Sequence, residues 1–207
     1  MKKISITLAA LALVAFTSCK NDTKKVEDVV EETVEETVEE VVEKVKTKKP
    51  EKVLSLRLSP KSDSRVDGKL QFSQTDGVVT MEASITGLTP GTHAIHIHEK
   101  ADCSSADGKS TGGHWNPTFQ PHAAWGAEGG FHLGDIGNFE ANEDGQGSVT
   151  FSTDLWCIGC GDENKDIVGK AIIVHEGTDD LTSQPSGAAG SRVSCAAIIE
   201  RVDTVPN

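Results

Sequence analysis

All seven histidines of this sequence lie between positions 93 and 175, and no other residue type clusters in a way that points so directly to chemistry. In His93-Ala94-Ile95-His96-Ile97-His98 the alternation of a strand places His96 and His98 on one face and Ile95 and Ile97 on the other. Two imidazoles on one face can chelate a single ion. His93 shares the parity of the isoleucines, so it is expected to point away from that ion as a hydrogen-bonded structural histidine. Further ligand types follow at His114, His122, His132 and Asp135, the last two spaced as H-x-x-D, and His175 ends the apolar run 171–174. Several neutral nitrogens and one carboxylate suit copper and zinc. Any one of these histidines read alone is a satisfied core or surface residue, but the set read together is a metal site.

The elements that must hold these side chains are short. After Pro50 alternating runs occur at 52–59, 67–74, 77–87, 93–98, 137–142, 146–152, 171–175 and 195–201. Turn residues such as Asp67-Gly68, Asp76-Gly77, Thr89-Pro90-Gly91 and Asp144-Gly145 separate them, and no helical period intervenes. An all-β antiparallel sandwich or barrel is expected. The stretches 99–136 and 176–194 are too long to be turns, so they are expected as two functional loops that carry most of the remaining chemistry.

The remaining length reads as appendages to one domain at 51–207. Residues 1–18 have the basic start and short apolar run of a signal peptide, too short to span a bilayer. Cys19 then occupies a bacterial lipoprotein acylation position, the plainer alternative being simple cleavage with Cys19 left as a free thiol. From 20 to 50 the repeats VEET, VEET and VEEV form a spacer, whose valines at 30, 34, 38, 41 and 45 could line a narrow helical stripe. A solvated tether is the expected reading and a coiled coil the alternative, because the glutamates repel one another.

A formal net charge of −12 argues against nucleic acid as a partner, and with tyrosine absent and aromatics only 4% of the chain no base-stacking platform is expected. Export favours disulfides over free thiols. Cys157 and Cys160 form a C-x-x-C without the adjacent helix that a thioredoxin-like site needs, so a local disulfide is expected, with a surface metal or redox site as the alternative.

The segments GTHAIHIHE, GGHWNP, FHLGDIGN, IIVHEGTDDL and GSRVSC, in this order, closely resemble the copper/zinc superoxide dismutase family over roughly 52–202. The resemblance implies an eight-stranded Greek-key β-barrel or sandwich of immunoglobulin-like type, with copper held by His96, His98, His114 and His175. Zinc would be held by His114, His122, His132 and Asp135, so that His114 bridges the metals as an imidazolate. Asp179, rather than Asp180, would hydrogen-bond one histidine of each metal. Cys103 and Cys195 would form a disulfide, and Arg192 would dock the superoxide anion.

The activity implied is dismutation of superoxide to oxygen and hydrogen peroxide, with copper as the redox partner and His114 as proton carrier. The setting implied is an exported protein of the bacterial cell envelope, in the periplasm or on the outer surface, lipid-anchored at Cys19 and either monomer or homodimer. One feature departs from many family members: the loop 176–191 has no lysine, and residues 51–207 hold 11 Lys plus Arg against 22 Asp plus Glu. Steering of the anion is therefore expected to be local or weak, and the rate only weakly salt-dependent. The main alternative is a copper- or zinc-binding or delivery protein that uses the same histidines without turnover. Only Met81 remains after signal removal, which argues against cuprous delivery, while the Cys157–Cys160 pair keeps it open. A surface adhesin that inherited the barrel ranks last.

Overall fold

Period-two alternation of apolar residues produces eight antiparallel strands in the computed structural model, which describes residues 51–200. The signal segment 1–18, Cys19, the spacer 20–50 and residues 201–207 lie outside the described residues. The strands are β1 (Lys52–Pro60), β2 (Asp67–Thr75), β3 (Val78–Thr86), β4 (Gly91–His98), β5 (Gly137–Ala141), β6 (Gly147–Thr153), β7 (Ala171–His175) and β8 (Arg192–Ala197). They close into a barrel in the order β1-β2-β3-β6-β5-β4-β7-β8. Because β3 pairs with β6 while β4 pairs with β5 and β7, the β3–β4 and β6–β7 connections cross between strand pairs, the Greek-key arrangement expected. Closure removes every free sheet edge. Among the described residues the helical content is one 3₁₀ turn, Lys109–Thr111.

The barrel interior takes one residue in two. On β3, Val79, Met81, Ala83 and Ile85 are buried between exposed or half-buried neighbours, and Phe72 and Leu70 of β2 meet them from the next strand. Full burial of each large side chain contributes about 1.5–3 kcal/mol, so this layer fixes the register that the site inherits. Asp76 and Gly77 turn between β2 and β3 with positive φ at both, the type I′ geometry that matches strand twist.

Two expectations are corrected. Asp67-Gly68 is not a turn; both residues open β2, and glycine is needed at 68 because a Cβ there would collide with the Ser84 carbonyl of β3. The last strand is Arg192–Ala197 rather than 195–201. Pairing with β7 sets it: Ala171 faces Ala197 and His175 faces Arg192, across a register shift at Val174/His175. Arg192 thus heads a strand instead of ending a loop.

Strand β4, like its neighbours β7 and β8, departs from alternation, since both of its faces are buried from His93 to His98. Ile95 and Ile97 face the barrel core, and the two long loops cover the histidine face. Loop 99–136 returns to the strand through Trp115 N–H donating to Ile97 O at 2.8 Å and Ile97 N–H donating to Gly134 O at 2.9 Å. Trp156, only 1% exposed, anchors the same loop, because its indole N–H donates to Leu133 O at 2.9 Å while its ring packs against Phe72, Phe151 and Trp125.

Candidate metal centre

Six histidines and one aspartate, drawn from β4, the loop 99–136 and the end of β7, meet over the histidine face of β4. His96, His98, His114 and His175 form one group and His114, His122, His132 and Asp135 a second, with the ligand atoms of each group within 4.8 Å of one another. All seven side chains are buried. His114 belongs to both groups: its Nδ1 lies 2.8 Å from Asp135 Oδ1, and its Nε2 turns to the other side with no protein partner.

The donor set fits two cations. His96 Nδ1, His114 Nε2, His122 Nδ1 and His132 Nδ1 are buried without a hydrogen-bond partner. Unpartnered buried nitrogens are costly unless something completes them, and an ion does so. Asp135 Oδ1 lies 2.8 Å from His114 Nδ1, 3.0 Å from His122 Nδ1 and 3.2 Å from His132 Nδ1, a convergence of three nitrogens on one oxygen that suits tetrahedral co-ligands. His98 and His175 bring their Nε2 atoms to 3.4 Å from each other, while their Nδ1 atoms face the carbonyls of Gly112 at 3.0 Å and Gly190 at 3.4 Å.

Behind the ligands, Asp179 is 2% exposed and spans the two groups. Its Oδ2 accepts from His96 Nε2 at 2.8 Å and its Oδ1 from His122 Nε2 at 2.9 Å, which fixes both tautomers with Nδ1 aimed inward. Asn138 grips the backbone of Asp179 from both sides at 2.8 and 2.9 Å, and Leu181 N–H donates to Oδ1 at 2.7 Å. Gly187, at φ 67, must be glycine because a Cβ would overlap the Asp179 carboxylate and the His122 ring. Asp180 instead caps its own loop through Thr182 and Ser183.

Protonation follows the surroundings. Burial, then the neighbouring imidazoles, holds His98 and His175 well below the usual histidine range. Burial also lowers His114, to about 4, against the opposing pull of Asp135. Burial works against His122 as well, but the Asp179 and Asp135 carboxylates outweigh it and raise that group. For the two carboxylates burial is likewise the largest single influence, and hydrogen bonds from the histidines overcome it: Asp135 is lowered, and Asp179 falls to about 2.

A cavity of ≈ 600 Å³ opens onto His98, His114, His132 and His175, with Arg192 and Lys109 as the cations in its lining. Glu99 and Asp107 also line it, and Lys109 Nζ pairs with Asp107 at 3.3 Å. Arg192, placed opposite His175 by strand pairing, donates from Nη1 to Gly108 O and Thr111 Oγ1, each at 2.9 Å. The Cys103–Cys195 disulfide ties the loop that carries residues 108–114 to β8, and a closed loop of that length contributes about 4–5 kcal/mol in the chain-entropy model.

Other residues singled out in the sequence lie outside the two groups. The His93 ring sits between carbonyls, with Nδ1 2.9 Å from His175 O and Nε2 2.7 Å from Thr89 O. Cys157 and Cys160 are joined in a disulfide next to Asp166, whose carboxylate accepts from the amides of Gly159, Gly161 and Val168. Asn138, Thr111 and the carbonyls of Gly108, Gly112 and Gly190 were missed by sequence reasoning. A backbone carbonyl has no sequence signature, and neither side chain stands in a ligand-like spacing.

A family model described as copper/zinc superoxide dismutase matches residues 66–198. An extracellular Cu-Zn superoxide dismutase of Caenorhabditis elegans is 34% identical over 137 residues, which cover 63% of this chain and 60% of that protein. One from Haemonchus contortus is 35% identical over 137 residues, covering 63% of this chain and 72% of its own length. The crystal structure of a doubly substituted SOD-like protein from Bacillus subtilis is similar with a TM-score of 0.63 and 31% identity, over 70% of this chain and 97% of that one.

Proposed function

From the premise that the chain belongs to the copper/zinc superoxide dismutase family, we propose that it disproportionates superoxide to oxygen and hydrogen peroxide. Copper is assigned to His96, His98, His114 and His175, and zinc to His114, His122, His132 and Asp135. The observation that carries this reading is the two-sided burial of His114, with one nitrogen in each ligand group and Nε2 left unpartnered. When bound, copper supplies one-electron redox chemistry, which zinc lacks, and zinc supplies a fixed positive charge.

The chain's own residues then divide the work. His98 and His175, held neutral by burial, offer lone pairs across the working pH range. Asp179 orients His96 and His122 from behind. His114 Nδ1 stays fixed on the Asp135 side, so Nε2, the nitrogen that would face copper, is the one that would carry a proton for product whenever it is not ligating. Arg192 at the cavity wall receives the anion with a guanidinium that stays charged.

Dismutation measured together with metal content tests the reading. Wild-type protein with one copper and one zinc is expected to be active, and His114→Ala and Arg192→Ala to be impaired. Full activity without copper would overturn it, and tight metal binding without turnover would favour a binding or delivery protein. Two disulfides and the extracellular description of the relatives support export. We assign the protein to the bacterial cell envelope, held by a lipid on Cys19, with an acylated N-terminal peptide as the mass-spectrometric signature and an unmodified one as the refutation.

A further inference from the structure

One buried hydroxyl holds the guanidinium that faces the cavity, and from that contact we propose that Thr111 is a positioning residue for anion docking. Thr111 is 0% exposed, and its Oγ1 donates to Gly108 O at 2.8 Å while accepting from Arg192 Nη1 at 2.9 Å. With its proton committed to Gly108, the hydroxyl meets the arginine as an acceptor only. Gly108 O accepts from Arg192 Nη1 as well, at 2.9 Å. Both hydrogen bonds that the Arg192 side chain makes among the described residues therefore use Nη1, and the fork formed by Nε and Nη2 remains for an anion.

Packing alone does not call for a hydroxyl here. Valine would fill the same volume, and a polar group at a fully buried position is unfavourable unless its bonds are made. What Oγ1 adds is direction. The turn that carries it is tied to β4 at its C-terminal end: Lys100 N–H donates to Thr111 O at 3.0 Å, and the adjacent Gly112 O receives His98 Nδ1 at 3.0 Å. Neighbouring residues 111 and 112 thus set the spacing between the docking arginine and one histidine assigned to copper. Gly108 completes the seat, because a Cβ there would lie 3.3 Å from Arg192 Cβ.

This inference rests on the docking role proposed for Arg192. Thr111→Val keeps the shape and removes the hydroxyl, whereas Thr111→Ser keeps the hydroxyl and removes the methyl. On the metal-loaded full chain, Thr111→Val is expected to lower kcat/KM for superoxide and to weaken binding of azide, a small monoanion probe, by roughly 3- to 10-fold each. Its copper and zinc content and thermal midpoint stay at wild-type values, and Thr111→Ser stays within about twofold of wild type on both readouts. On an Arg192→Ala background Thr111→Val causes no further loss, since its effect passes through the guanidinium. Wild-type behaviour of Thr111→Val overturns the inference, as do equal losses in both variants, metal loss in Thr111→Val, or a full second loss on the Arg192→Ala background. Undiminished rate and azide affinity in Arg192→Ala itself would instead remove the docking role, which keeps the two failures apart.

Discussion

Around His98 and His175 imidazole meets imidazole, and burial with mutual repulsion keeps both neutral. Around His122 and His132 the same residue type converges on the Asp135 carboxylate, and His122 gains proton affinity instead of losing it. The two halves share His114 and touch Asp179 from opposite oxygens, so they differ chiefly by one buried negative charge. An all-imidazole site leaves the ion's full charge to be compensated elsewhere and suits an ion whose charge changes. A carboxylate-bearing site suits an ion of constant charge.

The largest effect expected is from removing what the halves share. His114→Ala should lower activity by roughly 100-fold or more and weaken both metals, as read by a dismutation assay and metal stoichiometry. Retention of both ions would break the view that one imidazole links them. Asp135→Asn separates the halves: zinc affinity should fall by about 10- to 100-fold in chelator competition while copper is retained. Asp179→Asn should weaken both ions, by about 10-fold, because one carboxylate orients a histidine in each half. Loss confined to one ion would show that only one of its two hydrogen bonds matters.

The metal-free protein sharpens the comparison through pH. His98, His114 and His175 have folded-state proton affinities below their unfolded value near 6.5, so the unfolded chain binds more protons as pH falls. The stability that their neutrality provides is complete above about pH 6.5 and is lost progressively toward about 4, with His114 alone worth roughly 3 kcal/mol. His122, shifted upward, opposes this with a contribution that is complete below about pH 6.5 and is lost as pH rises through its folded value. Three groups against one give a thermal midpoint that falls on acidification from pH 7 to 4. A midpoint that rises would invert the assignment of the halves. The smallest effect is the salt response of the holoenzyme rate, expected below about twofold between 0.05 and 0.2 M, because Lys109 is paired with Asp107 and the 176–191 loop carries no lysine. A steep fall under stopped-flow conditions would show steering that the cavity lining does not account for.

Much of the barrel could be read in the chain because strand alternation is a local code. β4 and β7 ended where their apolar runs ended, whereas β8 did not, since its start is set by pairing with β7 rather than by its own residues. The parity of His96 and His98 was equally local. What covers them was not, because Gly134, Trp156 and Asn138 reach the site across tens of residues through backbone contacts that no spacing encodes.

Residue types, strand parity and motif order by themselves determined that this protein carries ligands for copper and zinc on a β scaffold, because coordination chemistry and pleat periodicity depend on identity and short separations. Which nitrogen of each histidine faces inward, how Asn138 and Gly187 seat Asp179 between the halves, and that Thr111 and Gly108 aim Arg192 were decided only in the tertiary structure. Those outcomes are set by hydrogen bonds between distant segments, and such bonds exist only once barrel closure and the Cys103–Cys195 link have brought the loops over one face of β4.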